Sequence, residues 1–406
     1  MKIKNIKARE IFDSRGNPTV EVEIETSKGK FLGAVASGAS VGKNEAVELR
    51  DADGKGVKKA ITNVKKLISP ALKGKEFSSQ VEIDDILIKI DGTENKARLG
   101  VNAILPTSIA VCRALAAEGK VSLFRYIAEI HGNKNIVKIP LPCFNILEGG
   151  AHAKNDLDIQ EFMIVPQKTS FVENFKIASD IYQSLRSILV SNFGENSVGQ
   201  GDEGGFSAPI DSTEKALLIL VNSLGAHQDV KFGLDIAASQ FYKKERYNLD
   251  GRELTRNELV DYYKEIISRF PVTFIEDPFE EEDWVGFEVL TKETIGKVNI
   301  LGDDLTTTNI KRIKEAENKK ACNGVIIKPN QIGTVSEAID AAKLAQSFGW
   351  KVLVSHRSGE THDDFIADLA VGVQADFFKA GAPVTPERMV KYNRMLEIES
   401  ELRNTK

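Results

Sequence analysis

The sequence predicts an α/β fold: a TIM-type eight-stranded α/β barrel with an N-terminal α+β domain that contains an antiparallel meander. Three observations carry this expectation. The first residues alternate as half-buried strands do; later the chain repeats short, continuous apolar runs; and each run ends on a polar or charged residue before a helical stretch begins. At 406 residues the chain exceeds one small core, so two domains or a barrel with an appendage are expected. The division is placed at 1–133 for the N-terminal domain and 134–406 for the barrel.

Pro18 to Glu25 reads PTVEVEIE and Lys30 to Ala36 reads KFLGAVA, with Gly29 marking the turn between two antiparallel strands. From about Asp53 to Glu129 the pattern is helical. Ala103 to Ala117 is apolar almost all round, which predicts a helix buried between layers. Six strand-loop-helix units follow: KFGLD ending at Asp235, VTFIEDP with Glu276, NILGDD with Asp303, GVIIKPN with Lys328, KVLVSHR with His356 and ADFFKAG with Lys379. Their recurrence is close to the roughly 31 residues per unit of an eightfold barrel. Helix starts are marked by Thr255 with Glu258, by Thr334 with Glu337, and by Thr385 before Pro386. Periodicity does not separate a closed barrel from an open doubly wound sheet. Chemistry at six successive strand ends favours closure, because only a barrel gathers all its strand ends around one mouth.

A formal net charge of -5 supplies no basic field for nucleic acid or an anionic membrane. Met1 to Glu10 has no apolar core, and the apolar stretch Ile136 to Leu147 is broken by Lys138 and two prolines. Neither a signal peptide nor a membrane span is read, and a cytoplasmic protein is expected. Cys112, Cys143 and Cys322 are odd in number and far apart, which predicts reduced, structural thiols.

Asp235, Glu276 and Asp303 end consecutive units, and neighbouring strands lie about 4.8 Å apart, so their carboxylates can converge on one cation. One such acid alone reads as a helix cap or loop residue. An all-oxygen set without histidine or cysteine suits a hard, octahedral ion, Mg²⁺ before Zn²⁺. Lys328 and Lys379 face the same mouth and read either as phosphate clamps or as a base. A base needs its pKa brought from about 10.4 to roughly 7 to 8, which a nearby cation favours and nearby carboxylates oppose.

The segment VGQGDEGGF, Val198 to Phe206, has the glycine spacing of a dinucleotide loop. No strong strand precedes it, and Asp202 and Glu203 fall where a pyrophosphate would lie. A tight turn that aims Glu203 into a site is the better reading. GASVGK, Gly38 to Lys43, is too short for a P-loop and reads as a lid or a plain turn. In SHRSGE, Arg357 with Ser358 makes a grip for phosphate or carboxylate, unless the segment is only a solvated loop.

Assembled, these residues resemble the enolase family from about Ala8 to Glu401. The resemblance rests on DSRGNP at Asp13, SGAS at Ser37, LGVNAIL at Leu99, QEFMI at Gln160, GDEGG at Gly201, IEDPF at Ile275, DDLT at Asp303, NQIGT at Asn330, SHRSGET at Ser355 and GAP at Gly381. It implies an enolase-type barrel and the reversible dehydration of 2-phosphoglycerate to phosphoenolpyruvate. By the same resemblance Lys328 is the base, and Glu203, oriented with Glu161, is the acid. Asp235, Glu276 and Asp303 bind one Mg²⁺, and Ser40 joins a second in the substrate complex. Arg357 and Ser358 hold phosphate, Lys379 holds the carboxylate, Gln160 binds substrate, and His152 and His356 close from loops. A homodimer or a higher assembly of dimers is also implied.

Four residues depart from the family's usual pattern: Glu148 for Asn, Val41 for Thr, Ala380 for Thr and His362 for an acid. Glu148 is expected to bring negative charge near an anionic ligand. Two other readings stand beside the leading one: a related enzyme acting on another acid, and a weakly catalytic paralogue kept as a binding or scaffold protein.

Overall fold

The computed structural model describes residues 1–38, 42–133 and 138–404. Strands β1 (Asn5–Phe12), β2 (Pro18–Glu25) and β3 (Lys30–Ala34) form an antiparallel sheet in that order. On β2, Val20, Val22 and Ile24 are fully buried while Glu21, Glu23 and Glu25 are not, as the period of two requires. The short helical segments Lys58–Asn63, Val64–Ile68 and Ser69–Leu72 follow, and then helices α1 (Gln80–Asp91), α2 (Val101–Gly119) and α3 (Leu123–His131). Helix α2 is long and apolar enough to cross a membrane by length and composition. It is the central core helix instead, buried on nearly every face. It lies so close to β3 that a Cβ at Gly33 would meet the Pro106 carbonyl oxygen at 2.2 Å.

The barrel strands are β4 (Leu141–Glu148), β5 (Glu161–Pro166), β6 (Val230–Asp235), β7 (Val272–Glu276), β8 (Asn299–Gly302), β9 (Gly324–Ile327), β10 (Lys351–Ser355) and β11 (Phe377–Lys379). They pair in sequence order, and β11 pairs back onto β4 through Phe377↔Leu141, which closes the sheet. The helices are α4 (Phe171–Phe193), α5 (Thr213–Ser223), α6 (Arg256–Arg269), α7 (Trp284–Thr294), α8 (Ile310–Lys319), α9 (Val335–Ser347), α10 (Phe365–Gly372) and α11 (Pro386–Asn404). The capping box at Thr255 is formed in full. Thr334 accepts the Glu337 amide, and Pro386 opens α11.

One strand departs from the parallel plan. β5 runs antiparallel to both β4 and β6. No long helix separates it from β4, and a short loop suffices only when the next strand reverses. The six units read from the sequence, β6 to β11, are parallel as expected. Inside the barrel Cys143, Met163, Val165, Phe274, Leu301, Ile326, Leu353 and Phe377 form one apolar plug. Gly233 on β6 leaves room for it, since a Cβ there would lie 2.2 Å from the Phe274 ring. The three cysteines are free and buried, as their spacing suggested.

The N-terminal part is tied to the barrel by buried polar groups. Asp84 on α1 accepts from Ser108 Oγ on α2 at 2.6 Å and from Ser336 Oγ on α9 at 2.7 Å. Arg113 Nη1 reaches Asp363 Oδ2 at 2.7 Å, and Ser37 exchanges backbone hydrogen bonds with Gly359.

Candidate active site

The strand ends meet over the plug. A cavity there is lined by Gly38, His152, Gln160, Glu161, Glu203, Lys328, Ser355, His356, Arg357, Ser358 and Lys379. The reversal of β5 explains how Glu161 joins this set. As the first residue of the one antiparallel strand, it stands level with Asp235, the last residue of β6, which in turn pairs with Glu276 on β7. In the closed eightfold ring β9 lies across from β5, so Lys328 faces Glu161 from the far wall.

Lys379 Nζ sits among three carboxylates: 2.7 Å from Glu276, 3.1 Å from Glu161 and 3.5 Å from Asp235. Lys328 Nζ pairs with Asp303 and lies 4.0 Å from Glu276. Burial alone would lower the Lys328 ammonium, but Asp303 and Glu276 outweigh it and hold it above its ordinary value. The carboxylate opposition anticipated from the sequence therefore dominates among the chain's own groups. Burial also pushes Asp235 up to about 7 and Glu276 up to about 8. The Lys328 backbone amide donates to Thr308 Oγ1 at 3.0 Å, and Thr307 and Thr308 hold φ of 45° and 53°. Backbone held in that region by β-branched residues is strained, and it lies next to the lysine that faces the cavity.

Glu276 Oε1 is buried with no hydrogen-bond partner among the described residues. Three buried acids, two of them held toward neutrality by desolvation, call for positive charge in the form of a hard cation. Asp235, Glu276 and Asp303 do not form one tight group here, because Lys328 and Lys379 stand between them. Among the described residues, the groups whose ligand atoms fall within 4.8 Å of one another are His152 with Glu161 and Glu203, and Asp277 with Asp303 and Asp304. Ser40 and Val41 lie outside the described residues.

Glu203 hangs on the loop between two short strands, Gly199–Gln200 and Phe206–Ser207, where Gly204 takes a φ of 86°. Asn145 Nδ2 donates to its Oε2 at 3.1 Å, and His356 Nε2 lies 3.1 Å from the same oxygen. His152 Nδ1 lies 3.8 Å from Oε1 and 3.6 Å from Glu161. Burial would raise the Glu203 carboxyl; contact with His356 and His152 and the Arg388 charge outweigh it and hold it below the usual carboxylate range. Burial and the Glu203 charge push neighbouring Glu161 up to about 8. The acid pair therefore keeps one proton near neutral pH.

Glu148 does not face the cavity, contrary to the expectation of added charge beside a ligand. Its carboxylate turns back under the loop, where it accepts from the Glu203 and Gly205 amides. Gln160 binds Asp235 Oδ2 at 3.2 Å. Arg357 is forked by a residue that sequence reasoning missed: Nη1 to Glu45 Oε2 at 2.8 Å and Nη2 to Glu45 Oε1 at 3.1 Å. Asp277 was also missed. Its two oxygens take the Asp303 and Asp304 amides and so fix the end of β8. Asp277 carries a charge inside the IEDPF motif otherwise read for Glu276, and that is the signal that could have found it; Glu45 stands two residues beyond the GASVGK segment. Ala380 is buried in the core and His362 is exposed.

The family model for the enolase N-terminal domain matches residues 3–127, and that for the enolase C-terminal TIM barrel domain matches residues 136–406. Enolase of Methanocaldococcus jannaschii is 48% identical over 99% of this chain and 96% of its own length. Enolase B of Dictyostelium discoideum is 48% identical over 99% and 95%, and enolase of Mastigamoeba balamuthi 47% over 98% and 96%. With both halves matched in order and the acid, amine and guanidinium groups gathered in one cavity, the chain belongs to the enolase family.

Proposed function

We propose that the protein interconverts 2-phosphoglycerate and phosphoenolpyruvate, a glycolytic lyase reaction. The observation that carries this reading is a lysine and an acid pair facing one another across a buried cavity whose rim bears a guanidinium. Lys328 in its neutral form takes the proton beside the substrate carboxylate, and the electron pair is left on that carboxylate. Glu203, kept supplied by the proton it shares with Glu161, protonates the hydroxyl at the next carbon, which leaves as water. Arg357 and Ser358 hold the phosphate, and Lys379 and Gln160 orient the carboxylate. His152 and His356 exclude water.

Asp235, Glu276 and Asp303 would hold Mg²⁺, with Ser40 reserved for a second ion in the substrate complex. Bound there, as is general for this superfamily, it would supply positive charge to neutralise the substrate carboxylate and would favour an unprotonated lysine. The negative net charge and reduced thiols support a cytoplasmic setting. The homodimer, or assembly of dimers, rests on the family resemblance. The division into 1–133 and 134–406 falls between the two family matches.

The test is direct. Purified protein with Mg²⁺ and 2-phosphoglycerate should develop the absorbance of the conjugated product, and Lys328→Ala should abolish it. Absence of signal above a chelated control at saturating substrate would overturn the reading.

A further inference from the structure

Arg388, the third residue of α11, is fully buried and forms no ion pair among the described residues. A buried guanidinium without a carboxylate partner is costly and needs its hydrogen bonds made. Nη1 lies 2.6 Å from His356 Nδ1 and donates to the Arg357 carbonyl at 2.6 Å; Nη2 donates to the Ser358 carbonyl at 2.6 Å and to the Asp202 carbonyl at 3.2 Å. All four contacts fall on the two loops that carry Glu203, Arg357 and Ser358.

The contact with His356 has a chemical consequence. A guanidinium only donates, so Nδ1 must offer its lone pair, and a neutral ring then carries its proton on Nε2. That nitrogen lies 3.1 Å from Glu203 Oε2, off the line of a straight hydrogen bond, and has no other partner among the described residues.

We propose that Arg388 is a positioning residue for the dehydration acid: it fixes His356 as the neutral Nε2–H tautomer, so that the ring meets Glu203 as a donor and not as a second base. The inference rests on the reading of Glu203 as the acid. The other tautomer would aim a lone pair at Glu203 and compete for the proton that the leaving hydroxyl needs. An imidazolium would hold the carboxylate ionised. The charged groups acting on the ring are Glu203, Arg388 and Lys379; burial and the two cations outweigh Glu203 and bring the imidazole down to about 3, so it stays neutral near pH 7.

The chain holds five histidines, which makes nitrogen NMR of the histidine-labelled, Mg²⁺-loaded protein tractable. His356 is assigned by loss of its signals in His356→Asn. The expected result is a neutral ring protonated at Nε2 from about pH 6 to 8, the range in which an unperturbed histidine would titrate. An Nδ1–H ring or an imidazolium in the wild type would overturn the proposal. This measurement does not depend on turnover, so its failure is distinct from failure of the lyase reading, which Lys328→Ala tests.

Arg388→Met, and Arg388→Lys if the first does not fold, should then mix the tautomers. Dehydration should fall by about tenfold or more while exchange of the substrate α-proton with solvent changes by less than about threefold. Equal loss of exchange and dehydration, or an unchanged tautomer, would mean that Arg388 only braces the fold.

Discussion

The carboxylate of Glu148 accepts the backbone amide of Gly205 at 2.5 Å. Its second oxygen takes the Glu203 amide at 3.2 Å, and the loop wraps so closely that a Cβ at Gly201 would come within 2.3 Å of it. Burial first, and Glu203 second, raise this carboxyl well above its ordinary value.

Glu148→Gln should leave one of those amides facing a nitrogen, and a buried amide without an acceptor costs about 1 to 3 kcal/mol. The expected outcome is a lower melting temperature and slower dehydration, with α-proton exchange less affected. Thermal unfolding and a coupled exchange assay decide it. Unchanged values in both would show that Glu148 does not hold the acid loop.

The fork between Arg357 and Glu45 sets a second expectation. Arg357→Lys keeps the charge but loses bidentate geometry, so the KM for the phosphorylated substrate should rise about tenfold or more, with a smaller change in kcat. Glu45→Gln should move KM in the same direction by less. Steady-state kinetics at fixed Mg²⁺ reads both.

Mg²⁺ binding should release protons. Asp235 and Glu276, pushed up to about 7 and about 8, are partly protonated at neutral pH and must ionise to ligate. Calorimetry in buffers of different ionisation enthalpy should give a buffer-dependent heat, and Glu276→Gln should reduce it. Mg²⁺ should also raise the melting temperature, and chelation should reverse the rise. A heat independent of buffer would refute the protonation scheme.

Asp84 makes a prediction about stability and pH. Burial raises its carboxyl to about 6, above the ordinary value near 3.9, so the folded state holds its proton more tightly than the unfolded chain. For a raised acid the penalty is absent below about pH 4, grows as pH rises toward 6 and is complete above it, amounting to about 3 kcal/mol at full ionisation. Asp84→Asn should therefore flatten this part of the stability curve, measured by denaturant unfolding from about pH 4 to 7. A wild-type curve parallel to the variant's across that window would exclude the effect.

The strand-end residues Asp235, Glu276, Asp303, Lys328, His356 and Lys379 were legible because each directly follows a short apolar run, and such a run is a local pattern. Glu203 and Arg357 were legible from the glycines and hydroxyls around them. The sequence by itself thus determined which segments become β6 to β11, and which chemistry they carry to their ends. Only the tertiary structure decided that β5 reverses and delivers Glu161 to the same mouth, that Glu148 turns under the acid loop, and that Arg388 and Glu45 reach His356 and Arg357. Strand direction and ring closure depend on pairings between distant segments, and a buried side chain's partner is set by which elements pack around it. Neither leaves a periodic trace along the chain.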